Sequence, residues 1–190
     1  MSRMKRRDFL KVSSSLSAVC WIGGSRQQAI SQSPNERVRI ACIGVGGKGR
    51  SDSEQAGKFG EIIAICDIDE ERLGAKAEQF PKAKQYVDYR KLLDELENQI
   101  DAVVVSAPDH HHAAASIRAM DMGKHIYCQK PLTHTVQEAR QMREAARRNN
   151  VRTQMGNQGT SGKRFRPGVE LLRAGVVGDI TEHHVWPTRP

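Results

Sequence analysis

The chain has 190 residues, 38% of them hydrophobic and 27% charged, and a formal charge of +8. At roughly 100–150 residues per domain this is room for about one domain. No stretch approaches the ~20 apolar residues of a membrane span, and 5% aromatic residues are too few for a base-stacking platform. Much of the basicity sits at the start. Residues 1–36 hold six bases (Arg3, Lys5, Arg6, Arg7, Lys11, Arg26) and two acids (Asp8, Glu36), so without them the charge falls from +8 to +4. The remaining bases are mixed with acids, as in QEARQMREAARRNN, which reads as a solvated helix face. Neither feature is a nucleic-acid footprint.

The first elements are those of an export signal. Arg6-Arg7-Asp8-Phe9-Leu10-Lys11 matches the R-R-x-F-L-K core of a twin-arginine signal, and a short, weakly apolar, Ser/Ala-rich run follows over 12–24. There is no A-x-A cleavage site, so processing is expected between residues 25 and 35. Val19 makes the sequence before Cys20 a poor lipoprotein box. The expectation is an exported protein of the periplasm or cell envelope, with residues 1–36 as signal and linker.

From Val38 the chain alternates β-branched runs with helical patterns, the signature of βαβ units and a parallel sheet buried on both faces. Strands are expected in VRIACIG, EIIAICD, DAVVVSA, HIYC and VRTQMG, and helices at about 49–59, 70–79, 89–96, 110–122 and 136–149. The fold class is therefore α/β, a Rossmann-type doubly wound parallel sheet. Residues 37–155 form it, and 156–190 are read as the beginning of a truncated second α/β domain.

The first strand runs into Gly44-Val45-Gly46-Gly47-Lys48-Gly49, with a helix expected after it. A lone G-x-G-x-x-G is weak, but Asp67 closes the next strand at the spacing a dinucleotide site needs. Gly44 suits a tight turn, Gly46 lets backbone approach a pyrophosphate, and Gly49 lets helix and strand pack closely. Freed N–H groups, Val45 and Gly47 among them, then hold the anion. Asp67 would accept from the adenosine ribose hydroxyls and repel a 2′-phosphate, which favours NAD; Arg50 and Arg72 keep NADP as the lesser alternative.

After the strand DAVVVSA comes Asp109-His110-His111-His112. Successive residues at a helix start point about 100° apart and cannot all face one ion, so no metal site is expected. Asp109 is read as the cap of that helix and Gly123 as its left-handed close. His183-His184 lies in an alternating, strand-like run whose rings should face opposite sides. Cys42, Cys66 and Cys128 fall in apolar runs and read as small buried hydrophobes. In IYCQKPLTH, Lys130 precedes a proline, which keeps its backbone extended, and Thr135-Val136-Gln137-Glu138 is a capping box that fixes the next helix.

The glycine loop, Asp67, SAPDHHH, GKHIYCQKPL, KRFRP and the Gly175-Val-Val-Gly178-Asp-Ile pattern together resemble the glucose-fructose oxidoreductase / inositol dehydrogenase (Gfo/Idh/MocA) family, over about residues 37–190. The resemblance implies a Rossmann domain followed by an α/β substrate domain, and homo-oligomers in full-length relatives. It places Ser106, Pro108, Asp109 and His112 at the cofactor edge. Lys130 would stand beside the nicotinamide and the substrate carbinol, and Arg164 would reach the cofactor from the second domain. Gln129 departs from the family's E-K-P signature, so a charge beside Lys130 is counted as lost, and the family's later catalytic histidine has no counterpart.

The resemblance implies hydride transfer to or from a hydroxyl carbon of a sugar or cyclitol, with Lys130 as the catalytic residue. Two alternatives stand beside it: an NAD-dependent glycosidase working by oxidation and elimination, and a non-catalytic NAD-binding fragment.

Overall fold

The structure, a computed structural model, describes residues 37–186. Residues 37 onward form one compact unit. The expected export signal lies outside the described residues.

Six strands, β1 (Val38–Ile43), β2 (Gly60–Cys66), β3 (Lys84–Tyr86), β4 (Ala102–Val105), β5 (His125–Gln129) and β6 (Thr153–Gly156), form one sheet in the order β3-β2-β1-β4-β5-β6. Every pairing is parallel. The helices between them are α1 (Gly47–Ala56), α2 (Glu70–Gln79), α3 (Tyr89–Glu95), α4 (Asp109–Asp121) and α5 (Val136–Arg148), and α6 (Gln158–Ser161) and α7 (Phe165–Arg173) follow β6.

Alternating residues of one strand feed two cores, as a sheet covered on both faces requires. Ala41 and Ile43 join Val103, Val105, Leu92, Leu93, Met120 and Met142 on one face. Ile40 and Cys42 join Ile62, Ile65, Leu73 and Val104 on the other. From β1 the chain winds outward to β2 and β3, then returns across β1 to continue through β4 to β6. The strand order reverses between β1 and β4, and a crevice at the carboxyl ends of these two strands is where open α/β sheets take their ligands.

The caps show how local chemistry sets the elements. Thr135 accepts from the Glu138 N–H at 3.2 Å while Glu138 accepts from the Thr135 N–H at 2.8 Å, the expected capping box. Gly123 closes α4 at φ +75°. Lys76 of α2, only 3% exposed, donates to the Arg50 carbonyl at 3.0 Å and to Glu54 at 3.2 Å, which ties α2 to α1.

Four expectations need correction. Asp109 is not the cap of α4: Pro108, at φ −58° and ψ 149°, takes the cap position with no side-chain bond, and Asp109 is the first helical residue. The helix after the glycine loop starts at Gly47 and not two residues later, because Gly47 at φ +48° already turns the chain into it. β3 was absent from the expected strands; it is three residues long and pairs with β2 alone. His183-His184 forms no strand; His184 instead pairs with Glu182 at 3.0 Å and stacks on Trp186.

Candidate functional site

The crevice between β1 and β4 opens into a cleft of about 840 Å³. Its walls come from the glycine loop, from Cys66 at the end of β2 with Asp67 and Asp69 after it, from Asp88, Tyr89 and Arg90 at the start of α3, and from Ser106 and Pro108 after β4.

Backbone contacts require the glycines. A Cβ on Gly44, which sits at φ +80°, would lie 2.7 Å from the Ser106 carbonyl and the Ala107 nitrogen. A Cβ on Gly49 would lie 1.8 Å from the Gly44 carbonyl oxygen. The third glycine therefore lets α1 press against the turn that ends β1. Gly46 differs: a Cβ there would meet only the flexible Arg72 side chain, at 2.4 Å. At this position what lies over the backbone is a mobile side chain, so a pyrophosphate can approach closely once Arg72 swings aside.

Asp67 holds the loop from the other side. Its carboxylate accepts from the Val45 N–H at 2.9 Å, the Gly46 N–H at 3.0 Å and the Asp69 N–H at 3.1 Å. Two cations flank this end of the cleft, and each already has an acid. Arg72 pairs with Asp69 at 3.0 Å, and Arg90 makes a bidentate pair with Asp88 at 2.9 and 3.0 Å. The Arg90 guanidinium holds the Asp88 carboxyl below its usual range. With both guanidinium charges offset, the charge of Asp67 stands uncompensated by them.

Behind Ser106 lies a polar cluster that the sequence reading missed. Asp52 of α1 is 7% exposed, the only buried carboxylate among the described residues. It accepts from the Ser106 hydroxyl at 2.8 Å and from Gln129 Nε2 at 2.7 Å, and pairs with Lys48. Gln129, 4% exposed, uses its other end to accept from the Lys130 N–H at 3.2 Å. The Ser106 hydroxyl has one proton and gives it to Asp52, so toward the cleft Ser106 can only accept.

His112 is 1% exposed and not on the cleft wall. Its ring bridges two carbonyl oxygens, Pro131 to Nδ1 at 2.6 Å and Ala107 to Nε2 at 2.7 Å, and so joins the loops that follow β4 and β5. Its neighbours His110 and His111 do line the cleft. Among the described residues no group of three or more His, Cys, Asp or Glu is placed to hold a metal ion, and no helix is long and apolar enough to cross a membrane.

Of the residues singled out from sequence, Gly44, Gly46, Gly47, Asp67, Ser106 and Pro108 meet at the cleft. Val45 and Gly49 lie buried beneath it, and Gln129 behind it. Lys130 stands exposed at the end of β5, joined to Pro131 by a cis peptide bond. Asp109 and Arg164 are exposed and off the cleft wall, Arg164 at the start of α7. Lys48, Asp52, Asp69, Asp88 and Arg90 carried no motif signal.

A parallel sheet ordered 3-2-1-4-5-6, a glycine turn backed by a helix N-terminus at its switch point, and an acid closing the second strand define a dinucleotide-binding Rossmann domain. More particularly, the chain belongs to the Gfo/Idh/MocA oxidoreductase family of NAD-binding Rossmann fold, which residues 38–157 match.

Glycosyl hydrolase family 109 protein 1 of Shewanella sp. strain ANA-3 is 32% identical over 156 residues, 76% of this chain and 34% of that protein. The alpha-N-acetylgalactosaminidase of Shewanella oneidensis is 31% identical with the same shares. The chain thus spans about a third of the length of the curated relatives it matches. Among solved structures, a probable dehydrogenase from Thermotoga maritima superposes with a TM-score of 0.64 at 27% identity, over 74% of this chain and 42% of that one. The myo-inositol 2-dehydrogenase of Lactobacillus plantarum shares the fold with a TM-score of 0.68 at 24% identity, over 76% and 43%.

Proposed function

We propose that the chain supplies the nicotinamide-nucleotide half of an enzyme that moves a hydride to or from a hydroxyl-bearing carbon of a sugar or cyclitol, using NAD in preference to NADP. Residues 37–155 bind the nucleotide, and residues from 156 begin a substrate domain. The observation that carries the reading is the fit of the cradle. The contacts at Gly44 and Gly49 hold a turn that faces the cleft at the N-terminus of α1, with the mobile Arg72 side chain over Gly46, where the helix dipole favours an anion. The preference for NAD rests on Asp67, since a 2′-phosphate would meet its carboxylate while Arg72 and Arg90 are engaged by Asp69 and Asp88.

When bound, the nicotinamide supplies the hydride acceptor or donor. The other roles fall to this chain. The loop 44–49 and the first turn of α1 hold the pyrophosphate, Asp67 accepts from ribose hydroxyls, and Ser106 accepts at the cleft wall. The Lys130 ammonium donates a hydrogen bond to the substrate oxygen and so steadies the charge that develops there. Lys130→Ala should lower kcat at least about a hundredfold and leave NADH affinity within about twofold; equal loss of both would remove Lys130 from the chemistry.

A second reading is glycoside cleavage through transient oxidation and elimination, favoured by the names of the curated relatives, a glycosyl hydrolase family 109 protein and an alpha-N-acetylgalactosaminidase. Such an enzyme returns its cofactor to the starting state each turnover. Following absorbance of NADH during turnover of a sugar alcohol and of an aryl glycoside separates the two: net NADH marks the dehydrogenase, free aglycone without NADH the glycosidase.

The twin-arginine motif supports export of the folded protein with its nucleotide bound. A fusion of residues 1–36 to a reporter that folds in the cytoplasm should reach the periplasm, and Arg6→Lys with Arg7→Lys should retain it inside.

A further inference from the structure

Asp52 uses both of its carboxylate oxygens on other parts of the site. One carboxylate oxygen accepts from Ser106 at the end of β4 and from Gln129 at the end of β5, residues 54 and 77 positions away in sequence. The other meets Lys48, which belongs to the glycine loop itself. Gln129 in turn has no latitude. Its Nε2 is committed to Asp52, its Oε1 to the Lys130 N–H, and Gly156 of β6 lies so close that a Cβ there would be 2.7 Å from Nε2.

We propose that Asp52 is the positioning residue of this site: through Gln129 it sets the strand end that carries Lys130, and through Ser106 it fixes which way the hydroxyl at the cleft wall points. An amide is needed at position 129 because the acid is already at position 52. A carboxylate in place of Gln129 could still accept from the Lys130 N–H, but its second oxygen would face the Asp52 carboxylate at hydrogen-bond distance. Two such acids cannot both ionise, and the pair must hold a shared proton or separate. The acid that this strand end lacks at position 129 thus stands one hydrogen bond away, on the first helix instead of the fifth strand.

The groups that feel the Asp52 charge are Lys48 on its own helix, Cys42 of β1 and Tyr127 of β5. Burial, opposed by Lys76 and assisted by Asp52, pushes the Cys42 thiol up to about 12. Burial first and then Asp52 raise the Tyr127 phenol. Neither changes charge between pH 5 and 8, and His110 and His111 line the cleft in every variant alike, so a titration seen in Gln129→Glu and absent from wild type reports the pair.

The inference rests on nicotinamide-nucleotide binding and not on the reaction proposed above. Its test is a charge swap in the full chain: wild type, Gln129→Glu, and Asp52→Asn with Gln129→Glu, each titrated with NADH by fluorescence and melted by circular dichroism at about pH 5 and about pH 8. Gln129→Glu should bind NADH about tenfold more weakly at the higher pH and recover toward wild type at the lower, where the two acids share a proton. The swap, which again sets one amide against one acid but removes the carboxylate that Lys48 and Ser106 use, should bind NADH more tightly than Gln129→Glu at the higher pH and depend on pH no more than wild type does.

Wild-type affinity for Gln129→Glu at the higher pH, or a swap no better than that single variant, would overturn the proposal. Should Gln129→Glu fail to fold at the higher pH, the swap alone decides, because a swap that folds and does not bind is equally fatal. Should wild type itself not bind NADH, the functional reading falls, and the melts still judge the pair: a midpoint lowered only at the higher pH and restored by the swap is required.

Discussion

Gly49→Ala and Gly46→Ala add the same methyl group three residues apart, and the contacts make them opposite experiments. At Gly49 the new carbon would lie 1.8 Å from the Gly44 carbonyl oxygen, 2.8 Å from its carbon and 3.1 Å from Ser106 Cβ. Two of those partners are backbone, in a turn pinned by the bond from Gly44 N–H to the Cys66 carbonyl at 2.8 Å. Relief needs a movement of more than an ångström in the end of β1 or in the whole first turn of α1. Overpacking costs about 1–3 kcal/mol and occasionally more; a clash with fixed backbone belongs at the top of that range. At ~2–4 °C per kcal/mol for a chain of this size, about 3 kcal/mol lowers the melting midpoint by roughly 6–12 °C.

At Gly46 the same carbon meets the Arg72 Cδ, on a side chain 61% exposed that can swing aside, so the midpoint should move by less than about 2 °C. The methyl then occupies the approach of the pyrophosphate, and NADH affinity should fall at least about tenfold. Melting by circular dichroism and NADH fluorescence titration on both variants read the two effects separately. A Gly49→Ala protein melting within about 2 °C of wild type, or a Gly46→Ala protein that binds NADH normally, would refute the assignment of roles within the loop.

Removing the negative charge at the adenosine end, with Asp67→Asn and Asp69→Asn together, should free Arg72 and shift the NADP-to-NAD affinity ratio at least about tenfold toward NADP, measured by competitive titration; an unchanged ratio would count against Asp67 as the discriminator. Glu138 accepts from the Thr135 and His134 N–H groups, which hold its carboxyl below the ordinary 4.5. A depressed acid stabilises the fold above that ordinary value and loses its contribution as pH falls through the folded value, so the midpoint deficit of Glu138→Gln at neutral pH should vanish in acid. A deficit that persists unchanged would show that the charge plays no part in the cap. Cys42, Cys66 and Cys128 are buried free thiols pushed up to about 12, 12 and 11, chiefly by burial. They should resist alkylation in the native protein at neutral pH, as counted by mass spectrometry, and react only on unfolding.

What the sequence disclosed divides along a physical line. The capping box at Thr135 and the left-handed close at Gly123 depend on φ, ψ and neighbours within four residues, so local sequence revealed them, and the glycines were legible from their spacing with Asp67 although their contacts reach Ser106 and Arg72. β3 escaped notice because Lys84-Gln85-Tyr86 is an edge strand with no buried residue, and a three-residue polar run carries no periodicity to detect. Asp109 was misread through a competition between neighbours. It has cap chemistry, but the fixed φ of Pro108 takes the cap position one residue earlier. His112, expected at the cofactor edge, lies buried with its ring between the Ala107 and Pro131 carbonyls, the second 19 residues further on.

Asp52 marks the limit of motif reading most clearly. An acid in GKGRSDSEQA, a helix that otherwise reads as polar and glycine-rich, has every local sign of a solvated residue. It is buried by residues from β4 and β5 that no local pattern connects to it. Gln129, by contrast, was conspicuous as a departure from a signature, and taken by itself it read as a missing charge. Neither position can be read alone, because the carboxylate of one accepts from the amide of the other. The amide at the end of β5 and the acid on the first helix are separately anomalous and jointly satisfied: Gln129 Nε2 donates to Asp52, and both oxygens of Asp52 have donors. A substitution at either position is therefore conservative or disruptive according to what stands at the other.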